Sequence, residues 1–336
     1  MFTEDTLKGE VILITGGGSG LGLSMAKLFS KLGAEVAICG RTEEKLRKAA
    51  QEIGVSGNRV GTYAVDVRDF EAVGTMMHRI VDDFGALTGL VNNAAGNFLS
   101  ASEDLTPGGF KTVVDIVLHG SFNCTHHFGN LLIGQKKQGS RWGDWKSRRM
   151  GDGNEGRNER RNDGRSDGRS DGLNEGRKVG RTWGKSGGSV HGSILNIVTT
   201  YAEDFGSAFV LPSACSKAGV LAMTRSLAFE WAEYGIRVNA IAPGPFPTEG
   251  AWSRLFPTKK FEKQYLGRIP AGRYGDHEEL ANLAVFLMSD LAPYITGECV
   301  TIDGGEKLSA GQFNFIDSLM SRGKLKAVFK MMKLAR

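Results

Sequence analysis

The densest run of chemically suggestive residues lies near the start of the chain, Thr15-Gly16-Gly17-Gly18-Ser19-Gly20-Leu21-Gly22. Glycines at 16, 20 and 22 carry no Cβ, so the backbone can approach a bulky anion closely. A helix that starts at such a turn points unpaired N–H groups outward, and strand, turn and helix together make a pyrophosphate cradle. Further along stand groups that hold or move protons, namely Tyr201, Ser213 and Lys217. The last two are four residues apart, which puts them on one face of a helix. The cysteines, Cys39, Cys124, Cys215 and Cys299, are widely separated without a C-x-x-C pair. That spacing points to neither a metal site nor a disulfide framework.

A cradle of this kind works only between a strand and a helix, and the flanking pattern provides both. Val11–Thr15 reads as a first strand, followed by a helix from about Leu21 to Leu32. Further strands are predicted at Glu35–Cys39, Arg59–Ala64, Gly89–Asn92, Ser193–Val198, Arg237–Ala242 and Glu298–Ile302. Helical patterns fall between them, at Thr42–Gln51, Thr106–Ile133 and Ala214–Glu233. The alternation predicts an α/β fold: a single Rossmann-like, doubly wound parallel seven-stranded sheet with helices on both faces. Such sheets bind ligands at the carboxyl ends of their strands. Tyr201 falls at one of these ends, directly after the fifth strand.

Composition narrows the remaining choices. The 336 residues are 40% hydrophobic and 24% charged, as expected of a folded globular chain. No apolar run reaches the roughly 18–20 residues of a membrane span, and Met1–Glu10 lacks the features of a signal peptide. With the cysteine usage, this makes a reducing cytoplasm the expected compartment. The net charge of +5 is unevenly placed: Lys136–Gly192 holds 15 basic and 8 acidic residues, leaving the rest of the chain at −2. No nucleic-acid partner is therefore expected. Residues 135–192 carry 14 glycines, almost no aliphatic side chains and near-repeats such as Gly164-Arg165-Ser166-Asp167 and Gly168-Arg169-Ser170-Asp171. Such a segment buries too little apolar surface to offset its ordering entropy, so a flexible Gly/Arg-rich insertion is expected there. Residues 1–134 and 193–314 would then form one discontinuous domain, with 315–336 as a basic amphipathic tail.

The spacing T-G-x-x-x-G-x-G resembles that of the short-chain dehydrogenase/reductase family. Asn92-Asn93-Ala94-Ala95-Gly96, Asp66-Val67 and Pro243-Gly244-Pro245 are similar to that family's N-N-A-G element, adenine-contacting Asp and nicotinamide-side loop. The resemblance implies a nicotinamide dinucleotide held by Gly16, Gly18, Ser19, Gly20, Leu21, Gly22, Asp66, Val67, Asn93, Ala94, Ala95, Gly96, Lys217, Pro243, Gly244 and Thr248. NAD-binding versions end the second strand with an acid for the ribose 2′-hydroxyl. Here the sequence reads Cys39-Gly40-Arg41-Thr42, and the Arg41 guanidinium can pair with a 2′-phosphate at two points. NADP(H) is therefore the expected cofactor.

The family's usual Y-x-x-x-K is broken in this chain. Lys217 fits the lysine, but the tyrosine position holds Ser213, whose hydroxyl is far too weak an acid to replace a phenol. The runs Asn93–Phe98 and Pro212–Val220 look like one branch, the NADPH-dependent 2,4-dienoyl-CoA reductases of β-oxidation, which also has serine there. Its catalytic pair matches Tyr201 and Asn97, and the likeness continues through Ala251–Leu255, Gly267–Pro270 and Asp303–Glu306. It implies an acyl-CoA substrate reduced to a 3-enoyl-CoA, with Tyr201 and Asn97 stabilising a dienolate, Lys217 anchoring the cofactor ribose and Ser213 giving a hydrogen bond. By the family's habit it also implies a homotetramer. Ala202–Val210 runs one residue longer than the branch pattern, and His119 replaces a more usual asparagine. His119 reads as a structural hydrogen-bonding residue. Two other classes stay open: a short-chain oxidoreductase for another thioester or carbonyl, and an NADP(H)-binding protein without turnover. The tail, with Arg322, Lys324, Lys326, Lys330, Lys333 and Arg336, is suited to CoA phosphates, an anionic membrane surface or a neighbouring subunit.

Overall fold

Every residue of β1 (Val11–Thr15) and β5 (Gly192–Ile197) is buried, because a parallel sheet is covered on both faces. This is visible in a computed structural model that describes residues 2–137, 192–203, 205–248, 258–311, 313–314, 316 and 319–334. The other strands are β2 (Glu35–Gly40), β3 (Val60–Ala64), β4 (Gly89–Asn92), β6 (Ile236–Pro243) and β7 (Cys299–Ile302). All seven run parallel in the order β3-β2-β1-β4-β5-β6-β7. The chain reverses its winding between β1 and β4, and every loop with predicted chemistry leaves a carboxyl end on that side.

The two-residue repeat of a strand sorts its side chains between two cores. Ile12 and Ile14 of β1 face α1 (Gly20–Lys31), α2 (Glu43–Ile53) and α8 (His277–Met288) through Met25, Phe29, Leu46 and Leu280. Val11 and Leu13 face α3 (Phe70–Phe84) and α5 (Gly120–Lys137) through Met77, Ile80, Cys124 and Phe128. The helix predicted over Thr106–Ile133 is longer and interrupted. It consists of α4 (Pro107–Val114), a π-turn at Asp115–His119, and α5. Within the π-turn the His119 ring bonds Asp115 at 3.1 Å and its side chain is exposed, in keeping with a structural role.

The helix predicted from Ala214 begins three residues earlier, as α6 (Leu211–Glu230), because Pro212 suits the first turn of a helix. Two further helices are α7 (Lys259–Leu266) and α9 (Arg322–Leu334). In α9, Leu325 is buried while Phe329, Met331 and Met332 are exposed. Residues 138–191, which hold most of the expected insertion, and the Ala251–Leu255 run lie outside the described residues. On either side of residues 138–191, α5 runs to Lys137 and Gly192 opens β5 in register with Ile236. Among the described residues no helix is long and apolar enough to cross a membrane.

Candidate active site

The glycine turn is shaped by steric need. Gly16 and Gly20 sit at φ +67° and +55°, a region costly for other residues. A Cβ on Gly22 would lie 2.5 Å from the Gly16 carbonyl and 2.6 Å from Asn93 Nδ2. Ser19 caps α1 in an extended conformation without a side-chain bond, which leaves the first-turn N–H groups free to meet an anion. The turn is locked to the Asn93 loop. Thr15 Oγ1 accepts from the N–H groups of Asn93 and Ala94 at 3.0 and 2.9 Å, and Asn93 Nδ2 donates to the Thr15 carbonyl at 3.0 Å. Leu21 packs on the first core, and Leu46 closes over Gly18. These residues fit a dinucleotide: the glycines let the turn pack tightly against the Asn93 loop with positive φ, and the uncapped first turn of α1 offers N–H donors to a pyrophosphate.

The other predicted contacts surround that turn. Arg41 is exposed just after β2 and enters no ion pair among the described residues. Asp66 is engaged by Arg68, whose Nη2 lies 2.6 Å from Oδ2 and whose Nε bonds Oδ1. Those bonds hold the Asp66 carboxyl below its ordinary value. Asn123 fixes Val67 by donating to its carbonyl at 2.9 Å. On the far side Gly244 N–H donates to the Ile302 carbonyl, and a Cβ on Gly244 would lie 2.6 Å from Asp303 Cβ. Thr248 folds back over the turn, 3.2 Å from where a Gly20 Cβ would stand.

Next to this cradle the structure brings three of the four proposed catalytic groups together. Ser213 and Lys217 are one turn apart on α6, 3% and 5% exposed. Tyr201 sits in a single 3₁₀ turn, Thr200–Ala202, at the end of β5. Its hydroxyl and that of Ser213 share a hydrogen bond of 3.1 Å. Lys217 Nζ donates to the Ile197 carbonyl, and burial pulls its ammonium down from 10.5 to about 8. The longer Ala202–Val210 segment does not separate Tyr201 from α6. It is taken up in a loop where Gly206 and Phe209 adopt φ +64° and +65°.

Asn97 lies on the loop that follows β4. It is exposed, and its Oδ1 accepts from Phe98 N–H at 2.9 Å. No hydrogen bond joins Asn97 to Tyr201 or Ser213 among the described residues. Its loop is nonetheless tied to the Tyr201 loop, because Ser100 N–H donates to the Phe209 carbonyl at 2.9 Å.

Several supporting groups carry no sequence signal. Asn92 bonds Asn196 and Thr125, and Asn196 bonds Thr224, each at 2.8 Å, in a buried network beneath the strand tips. Thr199 Oγ1, two residues before Tyr201, is buried with no hydrogen-bond partner among the described residues. His277 bridges Ser24 at 2.9 Å and the Pro247 carbonyl at 2.7 Å, holding the Thr248 loop to α1. Glu203 bonds Lys307 at 2.9 Å and Thr301 at 3.1 Å. Each pairing spans a sequence distance that motif spacing cannot read.

Comparison with known proteins identifies the family. The short chain dehydrogenase model matches residues 10–140, and the Enoyl-(Acyl carrier protein) reductase model matches residues 180–307. A Bacillus subtilis (strain 168) protein named probable 2,4-dienoyl-CoA reductase [(2E)-enoyl-CoA-producing] is 38% identical, covering 90% of this chain and 99% of its own. The chain belongs to the short-chain dehydrogenase/reductase family. An Arabidopsis thaliana relative, named peroxisomal 2,4-dienoyl-CoA reductase [(3E)-enoyl-CoA-producing], is 35% identical over 92% of this chain and 88% of its own. Among solved structures, a short chain dehydrogenase from Bacillus anthracis aligns with TM-score 0.68 and 37% identity, over 90% and 98% of the two chains. A Burkholderia cenocepacia gluconate 5-dehydrogenase in complex with NADP and tartrate aligns with TM-score 0.70 and 25% identity, over 91% and 98%. Membership in this family makes the protein an oxidoreductase.

Proposed function

We propose that this protein reduces 2,4-dienoyl-CoA thioesters with NADPH, using Tyr201 in place of the family's usual helix tyrosine. The observation that carries the reading is the Tyr201–Ser213 hydrogen bond, one turn from Lys217. It puts a phenol from a strand tip where the helix itself offers only a serine. The 2,4-dienoyl-CoA reductase names of the Bacillus subtilis and Arabidopsis thaliana relatives support the substrate class.

When bound, NADPH would supply the hydride, which adds to C5 of the diene. Electron density then moves through the conjugated bonds to the thioester oxygen, and the site must stabilise that negative charge. The Tyr201 hydroxyl and the Asn97 amide are the donors proposed to meet it, each worth about 3 kcal/mol by analogy with oxyanion-hole donors. Ser213 orients the phenol. Lys217 adds positive potential and holds the ribose, while the Gly16–Gly22 turn takes the pyrophosphate and Arg41 the 2′-phosphate. Thr248 holds the carboxamide. Proton delivery at C2, from water or Tyr201, leaves the double bond at C3 and gives a 3-enoyl-CoA. Delivery at C4 instead gives a 2-enoyl-CoA, and the two relatives' names divide between these outcomes.

The test follows NADPH oxidation with hexadienoyl-CoA against 3-oxoacyl and simple 2-enoyl thioesters, with the product double bond located by NMR. Turnover of the dienoyl substrate to a 3-enoyl product is expected. Preference for another thioester overturns the substrate, and NADPH binding without turnover of any thioester overturns the enzymatic reading. Tyr201→Phe and Asn97→Ala should each lower kcat at least about tenfold with NADPH affinity little changed, as for interactions made only in the transition state.

A further inference from the structure

Tyr201 rides on three residues of 3₁₀ helix, a short element with poor hydrogen-bond geometry of its own. Its surroundings are correspondingly elaborate. Ala202 is buried in an apolar cluster with Val198, Val220 and Leu221, and the Tyr201 carbonyl accepts from Gly206 N–H at 3.1 Å. The next residue, Glu203, turns inward, and its side chain is only 13% exposed. Glu203 Oε2 accepts from Lys307 Nζ at 2.9 Å and from Thr301 Oγ1 at 3.1 Å, and Lys307 Nζ also reaches Thr301 Oγ1 at 3.0 Å. Burial pushes the Glu203 carboxyl up, but the bonds from Lys307 and Thr301 outweigh it and hold the group below its ordinary value.

A mostly buried ion pair is seldom a source of net stability, since desolvating both charges offsets their attraction. Its value lies in fixing one geometry. Here the partners lie about a hundred residues along the chain, on β7 and the 3₁₀ turn Glu306–Ala310 that follows it. That same segment reaches the cofactor side. Asp303 packs against Gly244, accepts from the N–H groups of Gly305 and Lys307 at 2.8 Å each, and stands where β6 meets its loop. One rigid corner therefore touches both the turn bearing the phenol and the loop leading to Thr248.

We infer that Glu203, clamped by Lys307 and Thr301, is a positioning residue that holds the Tyr201 hydroxyl at a fixed place relative to the cofactor-side loop. The inference rests on the role proposed for Tyr201. A phenol misplaced by about 1 Å loses on the order of a hundredfold in rate, which sets the scale expected when the clamp is released.

The test compares wild type with Glu203→Gln, Lys307→Met, Lys307→Arg, Tyr201→Phe and the double variant Tyr201→Phe/Glu203→Gln. It measures kcat on hexadienoyl-CoA, NADPH affinity by fluorescence and Tm. Glu203→Gln and Lys307→Met should lower kcat by about tenfold to a hundredfold, with NADPH affinity within twofold of wild type. Lys307→Arg should recover most of the rate. In the Tyr201→Phe background, Glu203→Gln should cost nothing more, because the group it positions is gone. Additive losses overturn the inference, as does full activity in Glu203→Gln. A crystal structure of Glu203→Gln with the Tyr201–Ser213 bond unchanged overturns it also. If Glu203→Gln does not fold, Lys307→Met alone and with Tyr201→Phe gives the same cycle. Full activity in Tyr201→Phe would sink the role of Tyr201 itself, whereas an impaired Tyr201→Phe beside an unimpaired Glu203→Gln would sink only the clamp.

Discussion

Lys217→Met should make the protein more stable and inactive at the same time. The Lys217 ammonium is 5% exposed, forms no ion pair with a carboxylate among the described residues, and is drawn from 10.5 to about 8 by burial. That interval corresponds to about 3 kcal/mol against the folded state whenever the lysine is charged in both states. The cost is complete below pH 8. Between about pH 8 and 10.5 the folded lysine has lost its proton while the unfolded one keeps it, so wild-type stability rises with pH across this window. Methionine removes the cost but also removes the bond to the Ile197 carbonyl, a loss of about 1 kcal/mol. The variant should thus be about 2 kcal/mol more stable at pH 7, or roughly 3–4 °C in Tm, and about 1 kcal/mol less stable near pH 11. Chemical denaturation of both proteins without cofactor, at fixed protein concentration and at pH 7, 8, 9, 10 and 11, measures this difference. A variant less stable at pH 7, or a difference that does not move with pH, would refute the reasoning.

Three other perturbations report on separate parts of the molecule. Arg41→Glu should raise the KM for NADPH at least about tenfold while leaving NADH use little changed, because the carboxylate repels a 2′-phosphate; equal effects on both cofactors would remove Arg41 from cofactor choice. Gly22→Ala forces a Cβ against the Gly16 carbonyl and an Asn93 amide that is already bonded, so a loss of about 1–3 kcal/mol and weaker NADPH binding are expected in melting and titration experiments. Replacing residues 138–188 with a short Gly-Ser linker should leave kcat within about twofold and Tm within a few degrees, since α5 and β5 are complete on either side. An unfolded product would contradict the expected insertion.

Much of the fold was legible along the chain because its causes are local. Buried parallel strands need unbroken apolar runs such as Val11–Ile14, and the glycine turn needs residues without Cβ at fixed offsets. The offset of Lys217 from Ser213 is helical, so their common face was readable too. The π-turn at Asp115–His119 was not, since a single widened turn leaves the 3.6-residue pattern of its flanks intact. Nor did spacing indicate how the longer Ala202–Val210 segment would be absorbed.

Sequence alone determined the sheet, the cradle and the substitution of serine for the family's tyrosine, because each depends on residues that are neighbours or helical repeats. Tertiary structure decided that the Tyr201 hydroxyl meets Ser213 and that Glu203 is held by Lys307. Those facts arise where loops from separate strands converge at one edge of the sheet. A side chain's direction there depends on packing between distant segments, which linear order does not encode.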